Sequence, residues 1–135
     1  MSKIILISGP TASGKSEFAV KLAKKINGEI INADSMQIYK EISILNTRPN
    51  KFLTKKVKHH LYGFNSVKKK FSVGKWLKLT NKLIKQLLSK KKTPIIVGGT
   101  GLYFKSLTNG LVKIPSIPIK FRKKIISRQK KIGQK

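Results

Sequence analysis

The sequence lacks cysteine altogether and has no long apolar run. Without thiols the chain can form no disulfide, no zinc–thiolate site and no thiol nucleophile, and a reducing cytosol is its expected location. The apolar start Ile4–Ile7 is too short for the hydrophobic region of a signal peptide, and no stretch approaches the length of a membrane span. We therefore expect a cytoplasmic protein with no membrane contact.

Acidic residues are also scarce: Asp and Glu number 4 against 31 Lys and Arg, which gives a net charge of +27. Such an excess favours a polyanionic partner such as nucleic acid. Another explanation competes, because nearly all the basic residues are lysines and isoleucine far outnumbers alanine, a pattern that A/T-rich coding would also produce. The charge therefore supports nucleic-acid binding without establishing it.

What the sequence does contain is a phosphate-binding loop. The apolar run Ile4–Ile7 leads into Gly9-Pro10-Thr11-Ala12-Ser13-Gly14-Lys15-Ser16, which has the spacing Gly-x-x-x-x-Gly-Lys-Ser. Glycines let the backbone curl so that its N–H groups point inward, and the following helix presents its positive N-terminus to an anion. Lys15 adds a charge for the outer phosphate, and the Ser16 hydroxyl can complete the shell of a Mg²⁺ ion. The loop predicts phosphate or pyrophosphate binding without identifying the molecule that carries it.

The hydrophobic pattern around the loop predicts an α/β fold. Predicted strands are Ile4–Ile7, Glu29–Asn32, which would run parallel to the first in a β-α-β unit, and the fully buried Pro94–Val97. Predicted helices are Glu17–Ile26, a long helix from the N-cap Ser72 to Leu88, Leu102–Leu107, and the basic Phe121–Lys131. Residues 42–58 are predicted as loop with room for one helical turn, and Pro115-Ser116-Ile117-Pro118 as a rigid connector. Trp76 shares the apolar stripe of its helix and is expected in the core.

Asp34 is the only aspartate in the chain and follows the second predicted strand. In open parallel sheets ligands bind beyond the carboxyl ends of the strands, so Asp34 should face the same crevice as the phosphate loop. A carboxylate there could act as a general base. The alternative is a capping role, since Asp34-Ser35 could start a short helix over Met36–Tyr39.

Two other segments bear on chemistry. His59 and His60 are adjacent, and on an extended backbone they would point in opposite directions, which favours a buried, hydrogen-bonded histidine over a metal ligand. The third strand runs into Gly98-Gly99-Thr100-Gly101, where an ATP-hydrolysing protein of this kind would carry its Walker-B aspartate. The glycines predict close approach of substrate or backbone, with Thr100 as the polar group in the crevice.

Together these motifs resemble the tRNA dimethylallyltransferase family, the prenyl transferases that act on an adenosine beside the anticodon. The similar segments are, in order, the phosphate loop, Ala33-Asp34-Ser35-Met36-Gln37-Ile38-Tyr39, His59-His60-Leu61, Phe71-Ser72-Val73 and Val97-Gly98-Gly99-Thr100-Gly101-Leu102-Tyr103. The ordered combination is specific, and the match covers nearly the whole chain. It implies a P-loop NTPase-like parallel sheet with flanking helices.

The resemblance also implies roles for individual residues. Asp34 would be the general base on the adenine amine, with Thr11 and Lys15 as further catalytic residues. The dimethylallyl diphosphate would be held by the loop residues Gly9, Pro10, Thr11, Ala12, Ser13, Gly14, Lys15 and Ser16, with Mg²⁺ at Ser16. The tRNA anticodon loop would contact Asp34, Ser35, Met36, Gln37, Thr100 and Arg122. This chemistry suits the residues, because attack of an aryl amine on an allylic carbon needs a base and stabilisation of the leaving pyrophosphate.

The chain differs from the family's pattern in two respects. Leu45-Asn46-Thr47-Arg48-Pro49 keeps only the basic residue and the proline of the family's Gly-Thr-Ala-Lys-Pro segment. The family's chains run to about twice this length, so residues 1–135 are expected to form a single domain with an incomplete sheet, and residues 111–135 a basic helical tail leading toward the missing portion. The complete protein is expected to be a monomer. Three other functions stay open: a small-molecule kinase, an adenylate prenyl transferase, and a nucleic-acid-binding remnant without catalysis.

Overall fold

A parallel α/β sheet forms the centre of the molecule, in a computed structural model that describes residues 3–42, 48–112 and 117–133. The strands are β1 (Ile5–Ser8), β2 (Gly28–Asn32), β3 (His59–His60) and β4 (Thr93–Gly98). The helices are α1 (Lys15–Lys25), α2 (Lys51–Lys56), α3 (Val73–Ser89), α4 (Gly101–Asn109) and α5 (Ile119–Ile132). The strand order is β1-β4-β2-β3 and every pairing is parallel. The predicted fold class is confirmed.

The position of β4 differs from what chain order alone suggests. β2 is parallel to β1, as predicted, but β4 lies between them and pairs with both strands. Residues 94–98 are buried, and the run Ile95-Ile96-Val97 offers apolar side chains to both faces of the sheet. Such a run is typical of a parallel strand that is covered on both faces of its sheet. β1 consequently lies at an edge, where Leu6 is 42% exposed.

The sheet separates two hydrophobic clusters. On one face α1 packs against β2 and β4 through Ala19, Val20, Ala23, Ile30, Ile95 and Val97. On the other face α3 and α4 cover the sheet through Ile31, Ala33, Trp76, Ile84, Leu87, Ile96 and Tyr103. Trp76 is fully buried and stacks on Tyr103 with ring centroids 4.3 Å apart, which confirms its predicted place in the core. Burying a large apolar side chain of this kind stabilises the fold by about 1.5–3 kcal/mol.

The long helix begins where its N-cap predicts. The Oγ of Ser72 accepts a hydrogen bond from the N–H of Lys75 at 3.3 Å, and α3 ends at Ser89, one residue beyond the predicted Leu88. The loop predicted over 42–58 contains the short helix α2, which is capped by the Asn50 side chain. Residues 43–47 of that loop lie outside the described residues.

One strand was not predicted and one suggested helix was wrong, and both differences arise from distant pairing. No local pattern indicated β3, a strand of two residues that pairs with β2. The short helix predicted over Met36–Tyr39 does not form: the carbonyl of Ile38 accepts from the N–H of Asn65, and the N–H of Lys40 donates to the Asn65 carbonyl. Backbone groups that a helix would pair internally are therefore paired across to another segment.

The basic helix near the end of the chain is confirmed as α5, and each of its residues is exposed. The predicted connector at 115–118 lies partly outside the described residues. Within the described part of the chain, no helix combines the length and the apolar character needed to cross a membrane.

Candidate active site

The phosphate loop lies between the end of β1 and the start of α1. Gly14, the N-cap of α1, has φ of 76°, a left-handed conformation that glycine adopts readily. Ala12 is also left-handed, with φ of 62°. For a residue with a Cβ this conformation costs about 1–2 kcal/mol. The folded structure around the loop therefore has to hold Ala12 in it. Turns of this kind direct successive N–H groups into a concavity that binds anions.

Side chains of the loop close over its backbone. Nζ of Lys15 donates to the carbonyl of Pro10 at 2.6 Å, so the lysine folds back along the loop. A Cβ added at Gly9 would lie 3.1 Å from Oγ of Ser13, tighter than most such contacts. Glycine at position 9 therefore leaves room for the Ser13 side chain, and the ammonium of Lys15 stays beside the loop, where an outer phosphate oxygen would be bound.

The loop opens onto a cavity of about 380 Å³. Its lining consists of Thr11, Ala12, Ser13, Gly14, Lys15, Ser16, Glu17, Asp34, Gln37, Arg48, Pro49, Asn50 and Leu53. Six of the eight predicted loop residues are in that lining, and Gly9 and Pro10 are not among them. Asp34 faces the same cavity, which confirms the crevice predicted from the carboxyl ends of the strands.

The backbone of Asp34 is fixed by the fully buried Asn32. The Asn32 Oδ1 accepts from the N–H of Asp34 at 2.9 Å, and its Nδ2 donates to the carbonyls of Asp34 and Leu61 at 2.9 and 3.0 Å. The Asn32 carbonyl in turn accepts from Nε1 of Trp76 at 2.8 Å. Asp34 is thereby tied both to the helix layer and to the chain that follows β3.

The carboxylate of Asp34 makes a capping contact and also faces the cavity. Its Oδ1 accepts from the N–H of Met36 at 2.9 Å, and its Oδ2 accepts from Nε2 of Gln37 at 3.3 Å. The first contact is the turn-capping interaction of an aspartate, although the turn does not continue into a helix. The predicted role of the same carboxylate as a general base stays a prediction.

The glycine turn after β4 packs directly on the Asp34 segment. A Cβ at Gly98 would lie 2.2 Å from the carbonyl carbon and oxygen of Ala33, so only glycine fits there. The N–H of Thr100 donates to the Ala33 carbonyl at 3.1 Å, and Oγ1 of Thr100 accepts from the N–H of Ser35 at 2.9 Å. The predicted close approach at Gly98 is made by backbone, and Thr100 holds the Asp34 turn from behind.

The charge of Asp34 contributes to the raised pKa of two tyrosines. Burial raises the pKa of Tyr103 to about 12, with smaller contributions from Tyr39 and Asp34. Burial also raises the pKa of Tyr62, and the carboxylate of Asp34 adds to this effect. Both phenols are therefore neutral at physiological pH.

Some cavity residues were not predicted from the sequence. Arg48, Pro49, Asn50 and Leu53 form a wall of the cavity, and Arg48 reaches it from a segment that was predicted as loop. Nη2 of Arg48 donates to the carbonyl of Lys40 at 3.1 Å. The available signal was the pair Arg48-Pro49, which matches the end of the family's Gly-Thr-Ala-Lys-Pro segment. The pattern gave no reason to place that pair in the same cavity as the phosphate loop.

Other predicted site residues lie away from this cavity. Ser35 contacts Thr100, Met36 is 55% exposed, and neither they nor Thr100 line the cavity. Arg122 is exposed on α5 and does not line it either. Their roles in tRNA binding stay predictions.

The adjacent histidines make separate hydrogen bonds. Nδ1 of His59 lies 2.7 Å from the Val57 carbonyl, and Nε2 of His60 lies 2.6 Å from Oε2 of Glu29. This confirms the predicted hydrogen bonding, but both rings are partly buried and neither is fully buried. Over residues 3–42, 48–112 and 117–133, no group of three or more His, Asp or Glu side chains could hold a metal ion.

Comparison with known proteins places these features in one group. The family model described as IPP transferase matches residues 37–135. A tRNA dimethylallyltransferase from Pelagibacter ubique is 69% identical over 134 residues, which cover 99% of this chain and 43% of that protein. One from Rickettsia felis is 48% identical over 131 residues, covering 97% of this chain and 42% of that protein.

Solved structures agree with these relatives. A tRNA isopentenylpyrophosphate transferase from Bacillus halodurans superposes with a TM-score of 0.81 at 31% identity, over 97% of this chain and 44% of that one. A eukaryotic dimethylallyltransferase acting on tRNA gives a TM-score of 0.81 at 31% identity, over 89% of this chain and 31% of that one. The chain thus spans less than half the length of the relatives it matches. Since the family model extends from Gln37 to the last residue, this chain belongs to the IPP transferase family.

Proposed function

We propose that this chain forms the diphosphate-binding and proton-accepting part of a tRNA dimethylallyltransferase. The observation that carries the proposal is the single cavity that contains both the phosphate loop and the carboxylate of Asp34. Relatives and structural neighbours named for this activity support it. The sheet and the site lie within the part of the relatives that this chain spans.

The reaction assigned to the cavity is a substitution at an allylic carbon. The exocyclic N6 of an adenine attacks C1 of dimethylallyl diphosphate, the bond from C1 to the diphosphate oxygen breaks, and the N6 proton passes to the carboxylate of Asp34. The loop N–H groups and Lys15 stabilise the charge that develops on the departing diphosphate. Gln37, hydrogen-bonded to Oδ2 of Asp34, orients the carboxylate toward the cavity.

Ser16 and the bound diphosphate would together offer ligands for a magnesium ion. Mg²⁺ is commonly held by one or two protein oxygens together with substrate phosphates, and the Ser16 residue in the lining offers one such oxygen. When bound, the ion would neutralise part of the charge on the diphosphate. The described residues include no group of three or more His, Asp or Glu side chains that could hold the ion, so we infer that diphosphate oxygens and water would supply the other ligands.

An adenosine in a single-stranded RNA loop is the acceptor that suits this chain. Bases in such loops can be splayed into a protein pocket and recognised on their edges. The net charge of +27 would attract the surrounding phosphates. We therefore propose the tRNA anticodon loop as the acceptor, with the exposed Arg122 on α5 as an RNA contact.

The test is transfer of labelled dimethylallyl groups to tRNA. It is run with the chain alone and with a chimera in which the chain replaces the matching part of the Pelagibacter ubique relative. We expect tRNA labelling by the chimera and its loss on Asp34→Asn. Phosphoryl transfer from ATP to a small molecule would favour the kinase instead, and prenylation of free AMP the adenylate prenyl transferase. A chimera that binds tRNA but labels nothing would contradict the proposal.

A further inference from the structure

The cavity has a second cationic residue in its lining, Arg48, which lies outside the phosphate loop. Arg48 lines the same cavity as Lys15 and Asp34. We propose that Arg48 is a diphosphate-binding residue, a clamp that binds the phosphoryl oxygens together with the loop. This inference rests on the proposed function and assigns it a binding residue outside the phosphate loop.

The first argument is the space that the fold reserves for the guanidinium. A Cβ added at Gly63 would lie 1.7 Å from Nη1 of Arg48 and 3.0 Å from its Cζ. Gly63 has φ of 53° and its N–H donates to the carbonyl of Gln37 at 2.9 Å, so this glycine is itself fixed beside the Asp34 turn. The guanidinium therefore lies in a notch that any side chain at position 63 would fill.

The second argument is the platform to which Arg48 is attached. Nη2 donates to the carbonyl of Lys40 at 3.1 Å. Lys40 is tied to Asn65 through its N–H, and Tyr39 bridges to the same residue. The segments 37–40 and 63–65 thus form one hydrogen-bonded unit that carries both Gln37 and the guanidinium. Arg48 is held by the same part of the fold that orients Asp34.

The third argument is the charge balance of the lining. Among the described lining residues, Lys15 and Arg48 are cationic, whereas Glu17 and Asp34 are anionic. Without Arg48, the two carboxylates would outnumber the single lysine in a cavity that has to accept a polyanion. A guanidinium also carries five N–H donors in a planar fork that matches phosphate oxygens, and the hydrogen bond to Lys40 uses one of them.

The experiment measures the affinity of the purified chain for inorganic pyrophosphate by calorimetry at fixed ionic strength. We expect Arg48→Ala to weaken binding about tenfold to a hundredfold, and Arg48→Lys to recover only part of that loss because the fork is gone. Lys51→Gln removes an equal charge from the exposed surface of nearby α2 and serves as the matched control. An effect of Lys51→Gln equal to that of Arg48→Ala would mean a general charge effect and would overturn the clamp.

A double-mutant cycle separates the clamp from a folding defect. Gly63→Ala displaces the guanidinium without changing any charge, so it should weaken pyrophosphate binding in the wild-type background and have no further effect in Arg48→Ala. Because alanine at φ of 53° is strained, both proteins are checked by thermal unfolding. Equal losses in the two backgrounds would show that the effect does not pass through Arg48 and would overturn the proposal.

Two further results distinguish this inference from the proposed function. If Lys15→Ala weakens pyrophosphate binding and Arg48→Ala does not, only the clamp is wrong. If wild type and Lys15→Ala bind pyrophosphate equally poorly, phosphate binding by the loop fails and the clamp fails with it. A last measurement compares the affinities of wild type and Arg48→Ala for an anticodon stem-loop RNA. Loss of RNA affinity in Arg48→Ala with unchanged pyrophosphate affinity would assign Arg48 to RNA phosphates. That result would overturn its role at the diphosphate.

Discussion

Strand β2 has a carboxylate near each end, and the two have opposite environments. Glu29, near its amino end, is 5% exposed and is paired with both Lys92 and His60. Asp34, just beyond its carboxyl end, accepts hydrogen bonds from an amide N–H and from a glutamine side chain, and faces an open cavity. One carboxylate is paired with a lysine ammonium and a histidine ring, whereas the other is oriented but left without a cationic partner among the described ion pairs. The chain has only 4 acidic residues, and this contrast distinguishes a structural one from the one to which we assign the chemistry.

The pairing at Glu29 shows in its titration. Burial opposes ionisation of Glu29, but hydrogen bonds from Lys92 and His60 outweigh it, and the pKa of Glu29 falls below the ordinary value of 4.5. A carboxylate stabilised in this way is a poor proton acceptor near neutral pH. It can instead join β2, β3 and the start of β4 at the end of the sheet that faces away from the phosphate loop.

The largest expected effect is that of replacing Asp34, the carboxylate beyond the carboxyl end of β2. In the chimera, Asp34→Asn should lower kcat/KM for prenyl transfer by about 10²–10⁴-fold, the usual contribution of a general base. Stability should change little, because the amide oxygen of asparagine can still accept from the N–H of Met36. Steady-state kinetics and thermal unfolding measure the two effects. Glu29→Gln in the same chimera is the matched control, and an equal loss of transfer in both variants would contradict the assignment.

The site around Asp34 was also easier to predict from the sequence than the pairing of Glu29. The phosphate loop, Asp34 and the glycine turn after β4 are short local patterns whose geometry is set by neighbouring residues, so their meeting at one edge followed from the parallel sheet. Glu29 and His60 meet only because β3 pairs with β2, and nothing local in a two-residue strand indicates that pairing. Arg48 reaches the cavity through contacts with Lys40 and Gly63, and such long-range packing leaves no periodic trace in the sequence.

A second prediction concerns a substitution that displaces the Asp34 segment and keeps the carboxylate. Gly98→Ala would place a Cβ 2.2 Å from the Ala33 carbonyl, and backbone cannot move aside as a flexible side chain can. We expect a loss of about 1–3 kcal/mol in the free energy of unfolding, the usual cost of overpacking, measured by urea denaturation. Gly101→Ala, where an added Cβ meets nothing within 4 Å, is the control. Equal stability of the two variants would argue against close packing of β4 on the Asp34 segment.

A third prediction concerns the pH dependence of the stabilisation that Glu29 provides. Glu29→Gln should lower the free energy of unfolding at pH 7 by about 1–3 kcal/mol, because Lys92 and His60 lose their charged partner. The folded-state pKa of Glu29 lies below 4.5, so its stabilisation is fully present above that value and is lost as the pH falls from there through the folded pKa. The gap between wild type and variant in urea denaturation should therefore persist at pH 5 and close in stronger acid. A gap that widens in acid would contradict the sign of this shift.

The smallest expected effect concerns the hydroxyl that holds the Asp34 turn. Thr100→Val keeps the shape of the side chain but removes the acceptor of the Ser35 N–H, at a cost of about 0.5–1.5 kcal/mol. Thr108→Val on α4 removes a hydroxyl that is exposed to water, and it should change stability less. Urea denaturation measures both. Because Ser35 follows Asp34 directly, Thr100→Val should also reduce prenyl transfer by the chimera, whereas Thr108→Val should not. If both variants lose the same stability and neither affects transfer, Thr100 does not support the Asp34 turn, and Asn32 alone fixes the position of the carboxylate.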